Sequence, residues 1–192
     1  PPDDEAFSPL TASVEEAVRM RADAGPAGQF VAGGTDLYPN MKRRQETPAT
    51  VIDVADLAGL RGGSPGPGGG LRLGAALRLS EVEAQKDLLA GWPAVTHAAS
   101  TISTPLLRNM GTLGGNLLLD TRCNYYDQTF EWRRAIDFCM KKDGDTCWVA
   151  PGSPRCWAVQ SSDLAPLMVA LGAEVTLSGP EGERTIPVES LY

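Results

Sequence analysis

Two glycine turns constrain this 192-residue sequence more than any other feature: "VAGGTDL" (31–37) and "GTLGGN" (111–116). In each, a Gly-Gly pair lies close to a threonine, Thr35 in the first turn and Thr112 in the second. Glycine permits positive φ and lets the backbone come close to a ligand. Consecutive N–H groups in such a turn can bind an anion, and a following helix adds its dipole. The turns could therefore hold the two phosphates of a dinucleotide from opposite sides; the alternative is that both are ordinary turns.

Neither turn matches the G-x-G-x-x-G fingerprint or the P-loop, so a nucleotide would be held in another way. Acid–base candidates are few. His97 is the only histidine, and its neighbours in a predicted helix favour a packed or surface role. No serine lies in a nucleophile elbow. We predict no catalytic residue in this chain, which favours chemistry that belongs to a cofactor.

The first 58 residues have the pattern of a small β-α-β lobe. A capping box of Ser13 and Glu16 begins a helix that Gly25 ends. A buried strand over 28–34, a helix over 35–44 and a second strand over 49–55 follow. This order is typical of an α/β unit.

The remainder, 59–192, predicts a larger lobe with a mostly antiparallel sheet and flanking helices. The glycine- and proline-rich segment 61–70 suits a hairpin tip before a strand over 71–79. Helical segments follow over 80–101, broken at Gly91 and Pro93, and 105–119 is predicted to be a loop. Ser162 or Asp163 caps a last helix that runs to about Leu171, before a final strand. The predicted fold class is α/β (α+β) in two lobes.

Composition limits the partners and the compartment. A formal net charge of −7 argues against nucleic acid or an anionic membrane as the main partner. No apolar run approaches the roughly 20 residues that span a bilayer. The amino terminus lacks the features of a signal peptide, so we expect a cytoplasmic, reducing environment.

The four cysteines of the chain all lie between positions 123 and 156, with the spacing C-x15-C-x7-C-x8-C. Seven of the twelve aromatic residues fall in the same stretch, up to Trp157. Structural zinc sites usually bring cysteines in close pairs, which are absent here. An iron–sulfur cluster accepts ligands from more separated positions. The spacing therefore favours a cluster over zinc, and leaves free or disulfide-bonded cysteines open.

Three segments, "AGGTDL", "RNMGTLGGNL" and "SDLAPLMVALGAEV", together resemble the FAD-binding medium subunit of the xanthine oxidase family of molybdenum hydroxylases. The resemblance implies that the glycine loops bind the FAD pyrophosphate and that the aspartate of the S-D-L segment fixes the cofactor. The FAD-binding residues it implies are Ala32, Gly33, Gly34, Thr35, Asp36, Leu37, Arg108, Asn109, Thr112, Gly114, Gly115, Asn116, Asp163 and Leu164.

Between the second glycine loop and the S-D-L segment the chain carries an insertion of about 40 residues relative to most of that family. This insertion, which begins "DTRC", resembles the β subunit of 4-hydroxybenzoyl-CoA reductase. The resemblance implies a [4Fe–4S] cluster in a loop at 120–160. Its implied ligands are Cys123, Cys139, Cys147 and Cys156.

The same resemblance implies partners and a reaction. A large molybdopterin subunit and a small subunit with two [2Fe–2S] centres would complete the enzyme. Electrons from ferredoxin would enter at the [4Fe–4S] cluster, pass to FAD and leave for molybdenum. The reaction would be reductive dehydroxylation of an aromatic CoA thioester. The family's carboxy-terminal domain is absent from these residues.

Three alternatives remain at this stage. One is the FAD subunit of another hydroxylase of the xanthine dehydrogenase or CO dehydrogenase type. Another is a non-enzymatic zinc-binding interaction module. The third is a secreted disulfide protein.

Overall fold

A computed structural model of the chain describes residues 11–85 and 90–192. The chain divides into two compact units. The first consists of the described parts of 1–35, 48–118 and 162–192, and the second of 36–47 and 119–161. The sequence-based lobes, 1–58 and 59–192, stay a prediction.

The first unit begins with helix α1 (Val14–Ala24). The Ser13 side chain accepts a hydrogen bond from the Glu16 N–H, as the capping box predicts, and Gly25 ends the helix at φ 54°. Strand β1 (Gly28–Val31) then pairs in parallel with β2 (Thr50–Asp53), with Phe30 opposite Ile52. The buried side chains of Ala17, Ile52 and Leu57 form a small core.

A hairpin follows in the same unit, as the glycine-rich segment predicts. Strand β3 (Gly63–Pro65) pairs antiparallel with β4 (Leu71–Leu73). The prediction that β4 continues to residue 79 is wrong, because Gly74 leaves the strand. A Cβ at Gly74 would lie 2.3 Å from the Leu60 carbonyl oxygen, so the backbones touch there.

Four helices of the first unit lie between this hairpin and residue 118. They are α3 (Leu79–Ala84), α4 (Pro93–Thr101), α5 (Pro105–Arg108) and α6 (Leu113–Leu117). The predicted helix over 80–101 includes 86–89, which lie outside the described residues. His97 is exposed on α4, in agreement with a surface role.

Helices α5 and α6 replace the loop predicted over 105–119. Each begins at a threonine: Thr104 accepts from the Leu107 N–H, and Thr112 accepts from the Gly115 N–H. Pro105 supplies the fixed φ that suits a first helical turn. The sequence-based prediction gave more weight to the nearby glycines than to these two threonine caps.

The first unit ends with helix α8 (Ala165–Ala170) and an antiparallel hairpin of β5 (Glu174–Gly179) and β6 (Gly182–Pro187). Helices α3, α4, α6 and α8 share its main core. Leu79, Val82, Ala99, Leu164 and Val188 are almost fully buried there. Across the described residues the strands pair in three two-stranded sheets. The antiparallel part is therefore two separate hairpins and not one sheet.

The second unit holds helix α2 (Leu37–Lys42) and helix α7 (Phe130–Ala135), joined by turns. Helix α2 is shorter than the predicted 35–44, because Asp36 precedes its first turn and Arg44 has φ 54°. Arg122 and Val159 exchange two backbone hydrogen bonds, of 2.7 and 2.9 Å. This bridge closes the segment that holds the four cysteines.

A helix able to cross a membrane, long and apolar enough for the purpose, is not found in 11–85 or 90–192.

Candidate functional site

The two glycine turns touch each other through their backbones in the first unit. A Cβ at Gly33 would lie 2.0 Å from the Met110 carbonyl oxygen and 2.9 Å from the Gly111 Cα. Real Cβ atoms do not come so close, so position 33 requires glycine in this arrangement. A Cβ at Gly111 would in turn lie 3.5 Å from the Thr35 hydroxyl oxygen. The sequence predicted both turns but not this contact.

Several backbone N–H groups of the first turn are unused. Gly34 adopts φ 67°, a conformation that favours glycine. Among the hydrogen bonds of the described residues, none uses the N–H of Gly33, Gly34 or Thr35. Thr35 is exposed, while Ala32 beside it is half-buried. This turn therefore has the open N–H groups that an anion-binding nest requires.

The second turn is different, because its backbone donors, except the Thr112 N–H, are already used in the hydrogen bonds of the described residues. The N–H groups of Leu113 and Gly114 donate to the carbonyls of Leu77 and Ala75, both at 2.8 Å. The buried Thr112 hydroxyl accepts from Gly115. Only the Thr112 N–H has no bond among those of the described residues, so this turn lacks the consecutive open N–H groups of a nest. Its contact with a phosphate stays a prediction.

Asn116 joins the second turn to the S-D-L segment. Its Nδ2 donates to the Asp163 carboxylate at 2.8 Å. Its Oδ1 accepts from the Ser162 hydroxyl at 3.1 Å and from the Leu164 N–H at 3.0 Å. Asn116, Ser162 and Leu164 are buried, whereas Asp163 is exposed. The structure therefore brings Asn116 together with Asp163 and Leu164, which lie 47 and 48 positions away and were predicted for the same site.

Two further residues extend this group of contacts. The Ser162 hydroxyl accepts from the Ala165 N–H at 3.0 Å, which begins helix α8. The Tyr192 hydroxyl donates to the Leu117 carbonyl at 2.7 Å. Burial raises the pKa of Tyr192, and a hydrogen bond with Ser162 opposes that shift. No feature of the sequence pointed to Tyr192, because its contact depends on the fold.

The other predicted FAD-binding residues are placed as follows. Arg108 is held by Glu83 at 3.3 Å and by the Ile102 carbonyl at 3.0 Å, and Asn109 is exposed. Gly114 packs on Ala75, where a Cβ would lie 2.8 Å from the alanine Cβ. Asp36 and Leu37 belong to the second unit. There the Asp36 carboxylate pairs with Arg122 and accepts from Asn40 at 3.0 Å.

All four cysteines line one small pocket in the second unit. Cys139 and Cys147 are buried, Cys123 is half-buried and Cys156 is exposed, and all four are free thiols. The complete lining is Cys123, Tyr125, Tyr126, Cys139, Met140, Lys141, Cys147, Trp148, Val149 and Cys156. The structure thus brings together thiols that are up to 33 residues apart in the sequence.

Backbone donors point at two of these sulfur atoms. The Ala158 N–H lies 3.4 Å from the Cys156 Sγ. Burial tends to raise the pKa of the Cys147 thiol, but N–H groups of Ala150, Trp157 and Val149 favour the thiolate, and the net pKa is lowered. A stabilised thiolate is the form that binds metal.

The backbone before Cys139 is strained. Asp137 and Phe138 both adopt positive φ, 62° and 57°, which is uncommon for residues with a side chain and an outlier for a bulky one. The Phe138 carbonyl accepts from the Trp148 indole N–H. Residues held in such conformations cost about 1–3 kcal/mol each and cluster at functional sites. The strain directs Cys139 toward the pocket.

Arg133 organises the second unit and is only 1% exposed. Its guanidinium donates to the Arg44 carbonyl at 2.8 Å and lies within 6 Å of the rings of Tyr126, Phe130 and Phe138. The sequence missed this residue, because arginine is almost never fully buried. The density of aromatic residues around it was the only signal.

A charged group borders the pocket at Lys141. Its ammonium donates to the Asp120 carboxylate at 2.8 Å and to the Thr121 hydroxyl at 2.7 Å. It also lies 5.2 Å from the centroid of the Tyr126 ring. Burial, with the charges of Glu46 and Asp120, raises the pKa of Tyr126 to about 12, so the phenol stays neutral.

No group of three or more histidine, cysteine, aspartate or glutamate side chains in 11–85 and 90–192 is close enough to hold a single metal ion. A four-iron cluster is larger than one ion and takes its ligands from further apart.

Residues 8–192 match the family described as the FAD binding domain in molybdopterin dehydrogenase. The match covers nearly the whole chain. The chain belongs to this family. It therefore contains the FAD-binding domain of the molybdenum hydroxylase type.

Curated relatives agree. The aldehyde oxidoreductase FAD-binding subunit PaoB of Escherichia coli K12 is 34% identical over 185 residues, covering 90% of this chain and 56% of the relative. The carbon monoxide dehydrogenase medium chain of Hydrogenophaga pseudoflava is 28% identical, covering 94% and 49%. This chain thus spans about half the length of the relatives it matches.

Solved structures confirm the predicted mixed α/β fold. Reconstituted CO dehydrogenase from Oligotropha carboxidovorans superposes with a TM-score of 0.69 at 26% identity, covering 94% of this chain and 50% of that chain. The resemblance read from three short segments is therefore confirmed at the level of family and fold.

Proposed function

We propose that this chain carries FAD and a [4Fe–4S] cluster and serves as the electron-transfer subunit of a molybdenum-containing enzyme of the 4-hydroxybenzoyl-CoA reductase type. One observation carries the proposal. Four free thiols line a single pocket in a chain that belongs to an FAD-binding family.

The first unit fits FAD through an open turn on a fixed framework. The free N–H groups of Gly33, Gly34 and Thr35 would hold a phosphate, and the exposed side chains of Asn109 and Asp163 would face the cofactor. Asn116 orients Asp163, and the polar atoms of its amide form hydrogen bonds within the protein. Asp36, Leu37 and Arg108 remain predicted contacts. The buried members of the predicted set thus support the exposed ones.

The second unit fits an iron–sulfur cluster by its ligand set and its walls. Cys123, Cys139, Cys147 and Cys156 would be the ligands. Thiolate sulfur is the usual ligand of such clusters, and N–H groups near the sulfurs and bulky walls set their potential. Tyr126, Trp148 and Met140 supply the walls. When bound, FAD and the cluster exchange electrons with a donor and with each other.

Partners complete the proposed enzyme. We propose a large molybdopterin subunit, a small subunit with two [2Fe–2S] centres and ferredoxin as donor, without nucleic acid or membrane. Support comes from the relatives, which are named as subunits or chains of larger enzymes. Free thiols at the pocket agree with a reducing, cytoplasmic compartment.

The proposed reaction is reductive dehydroxylation of an aromatic CoA thioester, as in the degradation of aromatic compounds. The cysteine insertion supports it, since that insertion is what resembles the reductase. A second candidate is oxidation of an aldehyde. It is favoured by the 34% identity with PaoB over 90% of this chain. The cofactor content is proposed to be the same in both cases.

The test is anaerobic purification of the natural complex, with FAD, iron, sulfide and zinc quantified per copy of this chain. One FAD, with four iron and four sulfide beyond those of the small subunit, supports the cofactor proposal. Zinc at this chain without the extra iron contradicts it. Assays of the same complex then separate the reactions. Reduction of 4-hydroxybenzoyl-CoA by reduced ferredoxin supports the first candidate, and turnover of aldehydes alone supports the second.

A further inference from the structure

We infer that Lys141, held by Asp120, sets the reduction potential of the cluster at the cysteine pocket. The inference rests on the proposed function, because it requires a cluster there. The contact itself is made entirely within the second unit.

Position is the first argument. Among the described residues that line the pocket, Lys141 is the only one with a positively charged side chain. It follows Cys139 by two residues and precedes Cys147 by six. Its ammonium lies 5.2 Å from the centroid of the Tyr126 ring, and Tyr126 is itself a lining residue. The ammonium is therefore held close to a ring that forms part of the pocket wall.

Burial is the second argument. The Lys141 side chain is 18% exposed, whereas that of its partner Asp120 is 43% exposed. Water screens an exposed charge more than a buried one. The carboxylate holds the ammonium in place but cancels only part of its field at the pocket. Of these two charges, the ammonium therefore contributes more to the field at the pocket.

The change in charge on reduction determines how Lys141 affects the cluster potential. In one-electron reduction, an electron from the donor adds one negative charge to the cluster and its four thiolates, with no bond formed or broken. A fixed positive charge stabilises that additional negative charge. Net charge and solvent exposure are among the properties that set cluster potentials. Lys141 therefore raises the potential, and Asp120 lowers it by a smaller amount.

The test is a redox titration of the purified complex with dithionite, followed by the four-iron EPR signal. Lys141→Met should make reduction about tenfold less favourable, which equals about 59 mV for one electron. Asp120→Asn keeps an oxygen acceptor for Lys141 but loses the charge. It should shift the equilibrium about threefold in the opposite direction. Lys141→Arg keeps the charge and should stay within about twofold of the wild type.

Lys42→Met is the matched control, because it removes the same charge from an exposed position outside the pocket lining. Its potential should equal that of the wild type. Opposite shifts of the cluster potential in Lys141→Met and Asp120→Asn support the inference. A pocket that was only loosened would not shift the potential in a direction that follows the sign of the removed charge. An unchanged potential in Lys141→Met with full iron overturns it.

If Lys141→Met fails to hold iron, the test depends on Asp120→Asn. A cluster potential that does not rise in Asp120→Asn then overturns the inference. A wild-type complex without the additional iron would overturn the proposed function, and this inference with it. A wild type with iron and variants without shifts would overturn this inference alone.

Discussion

The glycine turns of the first unit and the cysteine pocket of the second differ in how their polar groups are satisfied. Asn116 uses both ends of its amide within the protein. In the second unit the four thiols line one pocket and are unbonded to each other. Buried atoms without a hydrogen bond among the described residues occur in both units, at Arg108 in the first and at Gln45 and Arg133 in the second. We expect the flavin framework to form without its ligand and the cysteine pocket to depend on one.

Removal of iron should produce the largest effect and tests this difference directly. Because a metal site that is not preformed couples binding to folding, chelation should loosen the second unit. We expect amide exchange around Cys139 and Cys147 to accelerate on the order of 100-fold. Removal of FAD should change exchange around Asn116 much less. Equal loss of protection in both regions would contradict the comparison.

Asn116→Ala should have the next largest effect, on the first unit. It leaves the buried Leu164 N–H without its acceptor, removes one contact of the buried Ser162 hydroxyl and frees Asp163. Unsatisfied buried groups of this kind cost about 1–3 kcal/mol each. Chemical denaturation should show a loss of about 2–4 kcal/mol, with weaker FAD retention. Asn109→Ala, at an exposed position of the same unit, should cost less than about 0.5 kcal/mol.

Particular residues of both units also show how much of the candidate site could be predicted from the sequence. The turns, the S-D-L segment and the four cysteines were found because each carries local chemistry: glycine, an acidic residue or a thiol. Their contacts were not, since Gly33 meets Met110 and Asn116 meets Asp163 only in the folded chain. The burial of Arg133 ran against the preference of its residue type. The sequence thus identified the groups that carry local chemistry better than the groups that support them.

Gly33→Ala tests whether the contact between the turns is obligatory. A Cβ there would lie 2.0 Å from the Met110 carbonyl oxygen, so backbone must move. Overpacking of this kind costs about 1–3 kcal/mol, and thermal unfolding should show it together with reduced FAD content. Gly59→Ala is the control: its Cβ would approach only the Val14 Cγ2, at 3.4 Å. If both variants bind FAD like the wild type, the two turns do not need this contact.

Tyr192→Phe should have the smallest effect and sharpens the account of the first unit. It removes the hydrogen bond to the Leu117 carbonyl, worth about 1 kcal/mol. The raised pKa of Tyr192 means that the folded protein prefers the neutral phenol. This contribution is complete below the usual tyrosine pKa of about 10 and is lost as the pH rises through the folded value. Denaturation at alkaline pH should show a shallower decline in the variant. An identical decline in stability for variant and wild type would show that a group other than Tyr192 titrates.

The central claim is that one chain carries two separate cofactor sites, and a reciprocal measurement tests it most directly. The complex is purified anaerobically with Cys147→Ser or Asn116→Ala, and FAD and iron are counted in each. We predict that Cys147→Ser loses four iron and keeps FAD, whereas Asn116→Ala loses FAD and keeps its iron. An iron content unchanged by Cys147→Ser, or loss of both cofactors in both variants, would contradict the claim.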